Sequence, residues 1–399
     1  TLKLSLLEKH RSLIDQAIES AIAINDPSKA LLIDEASSAI DYKYNQQISS
    51  VEMTKDQQKL VDSLNHIHQA ALPMSAQNTM ATQQTLISER IAMHEPASTP
   101  SRPMTKQQLS ELQGRISDDD IIVVYRSMGS YIAQWLVTQN DVTYKQLAIK
   151  DRYDANSLGL SNISQTRLWI VADTLLRQQS FAALPLPSLQ PLITKHEIAY
   201  LPVLNDSPLL ATTAKTSITL FGDPRYLAND TQTAPLVNAR HELDRIASMA
   251  TNSRIPIADF RQSNATVTQL IDIPKTDILH IAAHSQADAT SALASGLQLA
   301  KIDNNGNKIA NFLTTSHVRT MHNHAALTVL SSCAAADGYH RDSSETVSVA
   351  RAFLAMGSDR VISARKQVGD QSSVQIFTYF YYFLLNKQQP PITALANAQ

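Results

Sequence analysis

Two residues in this sequence have the chemistry for covalent catalysis. Cys333 is the single cysteine of 399 residues. It follows the apolar run Leu327-Thr328-Val329-Leu330 across two serines and precedes Ala334-Ala335-Ala336-Asp337-Gly338. His284 closes a second run, Ile278-Leu279-His280-Ile281-Ala282-Ala283. A thiolate is the nucleophile, yet an unassisted thiol is largely protonated at neutral pH. An imidazole can take that proton and later deliver it to a departing amine. The two need to meet in space, not in sequence. Parallel strands ending near 283 and 330 would bring them to one sheet edge. Each residue alone has a plainer reading. A lone cysteine is more often a small core residue, and any one of twelve histidines is more often a satisfied polar group.

A metal reading of the same residues is weak. His280 and His284 are four apart, which on a helix suits zinc. Their segment alternates like a strand, however, and the Glu of a His-Glu-x-x-His motif is missing. One cysteine also excludes Cys-rich zinc sites and any internal disulfide. No metal and no cofactor is expected.

The elements that must position these residues follow from periodicity. Ile218 to Phe221, Ile255 to Phe260, Ile278 to Ala283, Leu327 to Leu330 and Arg360 to Ile362 read as buried strands. Helical patterns at about 235–250, 265–271, 344–356 and 371–386 lie between or beside them. This alternation predicts an α/β fold, a mainly parallel sheet with helices on both faces, over 216–399. Such sheets bind ligands beyond the carboxyl ends of their strands, where His284 and Cys333 fall. Residues 111–215 read as β-rich: 121–125, 131–137, a third strand after Gln139-Asn140-Asp141, then 168–171 and 198–201.

Residues 1–94 read as helical. Ile14, Ala17, Ile18, Ala21 and Ile22 form a one-faced stripe, and Asp26-Pro27 is an N-cap with proline at the first helical position. Thr54-Lys55-Asp56-Gln57 is a capping-box pattern for a further helix. The chain opens on Thr1 rather than Met, so this region is read as the possible end of a longer helical array. Residues 95–110 hold a three-proline linker and a short helix.

Composition narrows the partners. Thirty-four basic against 36 acidic residues give a net charge of −2, which argues against nucleic acid and a polybasic membrane anchor. The run Tyr379 to Leu385 is too short to span a bilayer. The start lacks the pattern of a secretory leader, and with a lone cysteine the expected compartment is the cytoplasm.

The order of motifs from about 111 to 399 resembles the CHAT domain, a caspase-like family often fused behind tetratricopeptide repeats and related to separase. The resemblance rests on Leu168 to Asp173 with Phe181 to Pro185, His196 to Pro202, Phe221-Gly222-Asp223-Pro224 with Leu236, Ala239 and Glu242, and Asn264-Ala265-Thr266. It continues through the His box at 279–285, the Cys box at 330–338, Glu345-Thr346-Val347, and Ala352 to Ser358. It implies a caspase-like cysteine endopeptidase acting on a protein substrate, with His284 and Cys333 as catalytic dyad and His280 as a structural strand residue. The oxyanion hole would use backbone N–H groups at Ser285 and Cys333. Asp370 would be the acid of a substrate pocket favouring Arg or Lys before the cut, its plainer reading being a cap for the helix from about 371. Arg365 in the same segment could neutralise Asp370 or line the pocket itself. An activating protein or ligand would act through the helical region.

Three departures from the family pattern matter. Ser285 stands where the His box normally has Gly, and serine would be strained if that position needs positive φ. Lys366 replaces Trp in Lys366-Gln367-Val368-Gly369-Asp370. The sequence stops at Gln399, where the family usually continues to an aromatic strand. The first departure keeps an alternative open: a CHAT-like scaffold, catalytically degraded, that works by protein–protein interaction.

Overall fold

The computed structural model describes residues 2–49, 104–177, 179–204, 217–226, 236–286, 295–318, 321, 323–332, 339–340, 346–347, 349–364 and 370–399. The capping-box helix expected after Thr54, the linker at 95–103, Cys333 and Arg365 lie outside these residues.

Helices α1 (Leu2–Ala23) and α2 (Pro27–Ser49) form an antiparallel pair. Between them Asn25 takes a left-handed φ of 56°, and the Asp26 carboxylate accepts the Lys29 N–H at 2.9 Å. That capping bond is the main reason the Asp26 carboxyl lies below its ordinary range. Of the stripe read from sequence, Ile18 and Ala21 are buried, Ile14 and Ile22 are partly buried and Ala17 is exposed. Ile18 and Ala21, with Ala30 and Leu31 of α2, share a core with Ile122, Val124, Trp135 and Trp169. Burying a side chain such as Ile18 or Leu31 contributes about 2 kcal/mol.

The partner surface is a five-stranded sheet ordered β3-β2-β1-β4-β5, made of β1 (Asp120–Ser127), β2 (Tyr131–Val137), β3 (Val142–Ala148), β4 (Arg167–Ala172) and β5 (Glu197–Tyr200). It is mixed rather than parallel. β1, β2 and β3 pair antiparallel, while β4 is parallel to both β1 and β5. Connection length explains the mixture. Three residues join β1 to β2 and four join β2 to β3, and such short turns permit only antiparallel neighbours. The long stretch from 149 to 166 lets β4 return parallel. Period-two alternation sends Ile121, Val123, Tyr125, Leu168 and Ile170 to the other face, against Leu158, Phe181 and Leu184. Short helix α3 (Lys106–Gln113) starts with a complete capping box between Thr105 and Gln108.

Charge as well as apolar surface fixes the helix pair to this sheet. Arg126, on β1, reaches Asp34 at 2.8 Å and Asp15 at 2.9 Å. Asp173 accepts the Ser127 N–H at 2.5 Å and lies 3.6 Å from Arg11. Glu35 accepts the Leu204 N–H at 3.0 Å.

The second sheet is the parallel one predicted for 216–399. Its order is β15-β12-β8-β6-β7, from β6 (Ile218–Pro224), β7 (Ile257–Gln262), β8 (Ile278–Ala282), β12 (Leu327–Leu330) and β15 (Arg360–Ser363). Every pairing in it is parallel. On one face α4 (Val237–Asn252), α7 (Asp370–Tyr381) and α8 (Pro391–Ala398) pack on Ile218, Leu220, Ile278, Leu327 and Val329. On the other, α5 (Val267–Ile271) and α6 (Val349–Met356) cover Phe221, Leu279, Ile281 and Leu330. The expectation of a mainly parallel sheet therefore holds for this half of the chain and not for the sheet at 120–200.

Two further small sheets were not legible in the sequence. β9 (His284–Gln286), β10 (Gly296–Gln298) and β11 (Phe312–Thr314) form an antiparallel trio, and β13 (Tyr339–His340) pairs with β14 (Thr346–Val347). Glycine permits the close approach at two positions. A Cβ on Gly222 would stand 2.3 Å from the Ala282 carbonyl oxygen, and one on Gly296 would stand 2.1 Å from that of Leu313. No other residue fits there without moving backbone.

Candidate active site

One residue, Ala283, separates β8 from His284, which opens β9 and pairs with Gln298 of β10. Its half-buried ring packs on Tyr226, with centroids 5.9 Å apart and planes inclined by 36°. The Tyr226 hydroxyl donates to the Gln298 carbonyl at 3.1 Å, so the residue paired with His284 also anchors the tyrosine. Ser285 sits opposite Leu297 in the same strand pair. It takes no positive φ, so the condition under which serine would be strained here is not met. An extended strand accepts any side chain at that position.

The neighbouring strand β12 leads to the cysteine segment. Leu330 lies opposite Ile281, and the next residue extends the ladder: the Ser331 N–H donates to the Ile281 carbonyl at 2.8 Å. Counting onward from this register, His284 is three residues past Ile281 and Cys333 three residues past Leu330. The two strand ends predicted to be neighbours are neighbours. The last described residue on this path, Ser332, is buried, and its hydroxyl has no hydrogen-bond partner among the described residues. Of the residues expected around the pocket, Asp370 is the first residue of α7.

His280 lies on the opposite side of β8 from Leu279 and Ile281, toward α4 and α7. It is fully buried. Its Nε2 is 2.7 Å from Glu242 Oε1 and its Nδ1 is 3.2 Å from the Tyr381 hydroxyl. The second Glu242 oxygen accepts the Ser331 hydroxyl at 3.0 Å. Burial, then the Glu242 charge, pushes the Tyr381 hydroxyl well above its ordinary value, so it stays protonated. Donation from Tyr381 to Nδ1 and from Nε2–H to Glu242 leaves every group with a partner. Both ring nitrogens of His280 are thus committed to protein. Among the described residues, no group of three or more His, Cys, Asp or Glu is arranged to hold a metal ion.

Glu242, Tyr226 and Tyr381 are the members of this site that sequence reasoning did not single out for a role. Glu242 had a readable signal. It falls on the buried stripe Ala239, Leu243, Ile246 and Ala250 of α4, and a carboxylate on such a stripe requires a buried partner. Tyr226 had none, because its link to His284 depends on where β10 lies.

The CHAT domain family matches residues 133–399. This chain belongs to the CHAT domain family. The match begins inside β2, so β1, a strand of the same sheet, and the α1–α2 pair packed on that sheet lie before it. Among solved structures, the CHAT chain is similar to the crystal structure of gingipain R, an Arg-specific cysteine proteinase. That similarity covers 63% of each chain at 11% identity with a TM-score of 0.38. No curated protein sequence matches the chain. Among the described residues of this CHAT protein, no helix is long and apolar enough to cross a membrane.

Proposed function

We propose that this CHAT domain is a caspase-like cysteine endopeptidase that cleaves a protein substrate through Cys333 and His284. The Cys333 thiolate adds to the peptide carbonyl and forms the carbon–sulfur bond. His284, carrying the thiol proton, gives it to the leaving amine as the carbon–nitrogen bond breaks. Water then attacks the thioester, losing a proton to His284. The carbon–sulfur bond breaks, the carboxylic acid product leaves, and the sulfur departs as thiolate, which His284 can reprotonate. Backbone N–H groups of Ser285 and Cys333 are the proposed oxyanion donors, and one such donor is typically worth about 3 kcal/mol in the transition state.

The observation that supports this reading is the register of β8 and β12. Equal three-residue extensions from paired Ile281 and Leu330 lead to the imidazole and the thiol. The proposed specificity is for Arg or Lys before the cut, with Asp370 as the pocket acid and Arg365 tempering its charge. Activation is proposed to pass from a protein or ligand through the helical region. In support, α2 packs against α6, the helix that follows the cysteine segment.

The test is a cleavage profile over a proteome-derived peptide mixture. Products made by the wild type and absent with both Cys333→Ala and His284→Ala support the dyad. Identical profiles for wild type and Cys333→Ala overturn it and leave the domain as a scaffold.

A further inference from the structure

Glu242 does something that neither the family match nor the proposed dyad assigns. Its carboxylate lies on α4, beneath the sheet, and is almost fully buried, with 2% of the side chain exposed. One oxygen holds His280 of β8 at 2.7 Å, and the other holds Ser331, at the end of β12, at 3.0 Å. These are the two adjacent strands whose extensions carry His284 and Cys333. Ser331 is held twice, since its N–H is also bound to the Ile281 carbonyl.

We infer that Glu242 is a positioning residue that clamps the carboxyl ends of β8 and β12 and so sets the separation of imidazole and thiol. The inference rests on the dyad reading above. The carboxylate suits the task because it accepts two hydrogen bonds in divergent directions from one rigid plane. A helix residue held by apolar packing on both sides cannot follow either strand if one drifts. His280 in turn is fixed by Tyr381 at its other nitrogen, so the clamp spans α4, β8, β12 and α7. A displacement of about 1 Å at reacting groups costs about 100-fold in rate.

The experiment compares Glu242→Ala, Glu242→Gln, Ser331→Ala and the Glu242→Ala/Ser331→Ala double variant. Two quantities are read: kcat and KM for peptide cleavage, and the rate of Cys333 alkylation by iodoacetamide. The chain has one cysteine, so each alkylation event reports this thiol. Glu242→Ala is expected to lower kcat about 100-fold with KM nearly unchanged. Glu242→Gln is expected to recover most of that loss, because the amide still accepts from His280 and can donate to the Ser331 hydroxyl. Ser331→Ala is expected to fall between, and to add nothing in the Glu242→Ala background. Independent, multiplying losses in the double variant overturn the clamp, as does a Glu242→Gln no better than Glu242→Ala. If Glu242→Ala does not fold, Ser331→Ala decides: a wild-type alkylation rate overturns the inference. The alkylation readout needs no peptidase activity. A wild type that cleaves nothing therefore counts against the dyad alone, while altered alkylation in Ser331→Ala still supports the clamp.

Discussion

The two five-stranded sheets both bury ionic groups, but to different ends. In the mixed sheet, Arg126 joins Asp15 and Asp34, so charges more than ninety positions apart in sequence hold the helix pair on β1. In the parallel sheet, Glu242 joins His280 and Ser331 at strand ends that point toward the proposed chemistry. The first set ties one layer to another. The second ties two strands within one layer. The difference teaches that burial of a charge does not by itself mark a catalytic site. What marks it is the elements that the charge connects.

The largest expected effect tests the first set. Arg126→Ala leaves Asp34 buried without its counter-charge and should cost about 3–5 kcal/mol in unfolding free energy. Urea denaturation measures that loss. Cys333 alkylation in the folded variant should stay at the wild-type rate. A change in alkylation as large as that of Glu242→Ala would erase the contrast between the two sheets.

A smaller effect is expected at Asp120, also in the mixed sheet. Burial raises its carboxyl, but hydrogen bonds from Arg167, Ser117 and Trp169 outweigh that and hold it below the ordinary range. A folded value below the unfolded one stabilises the protein above the unfolded-state value. That contribution is lost as pH falls from there through the folded value. Asp120→Asn should cost about 2 kcal/mol near neutrality and flatten the loss of stability in acid. Urea midpoints of both proteins between neutral and acid pH check it, and parallel acid slopes would reject the assignment.

The smallest effect is expected at Ser285. An extended strand residue gains nothing from glycine, so Ser285→Gly should lose about 0.5–1 kcal/mol of stability with no rise in peptide cleavage. A clear gain in kcat would restore the idea of a strained serine.

Much of this arrangement was legible in the sequence because its signals are local. The strands at 278–282 and 327–330 announce themselves as short apolar runs, and the helix at 237–252 as a one-faced stripe. Their alternation with helices already implies parallel pairing. The antiparallel part of the first sheet was also readable in principle, since Gly129 and Asn140-Asp141 mark hairpin-length turns. The turn at Gln139-Asn140-Asp141 reads as leading into a third strand, and β2 and β3 do pair antiparallel across it. The parallel return of β4 and β5 depends on long connections that carry no such mark. β10 and β11 carry three residues each, too few for any period to appear. Long-range charge pairing is invisible in the same way. Nothing near Arg126 in sequence names Asp34, and nothing near His280 names Glu242. Tyr226 reaches His284 only after three segments have been placed.

The central claim is that a thiol and an imidazole meet beyond the ends of β8 and β12. The pH dependence of Cys333 alkylation, followed by intact mass in wild type and His284→Ala, tests it most directly. The account predicts a wild-type midpoint below that of free cysteine, and a return to the free-cysteine value in His284→Ala. A free-cysteine midpoint in both proteins would contradict it.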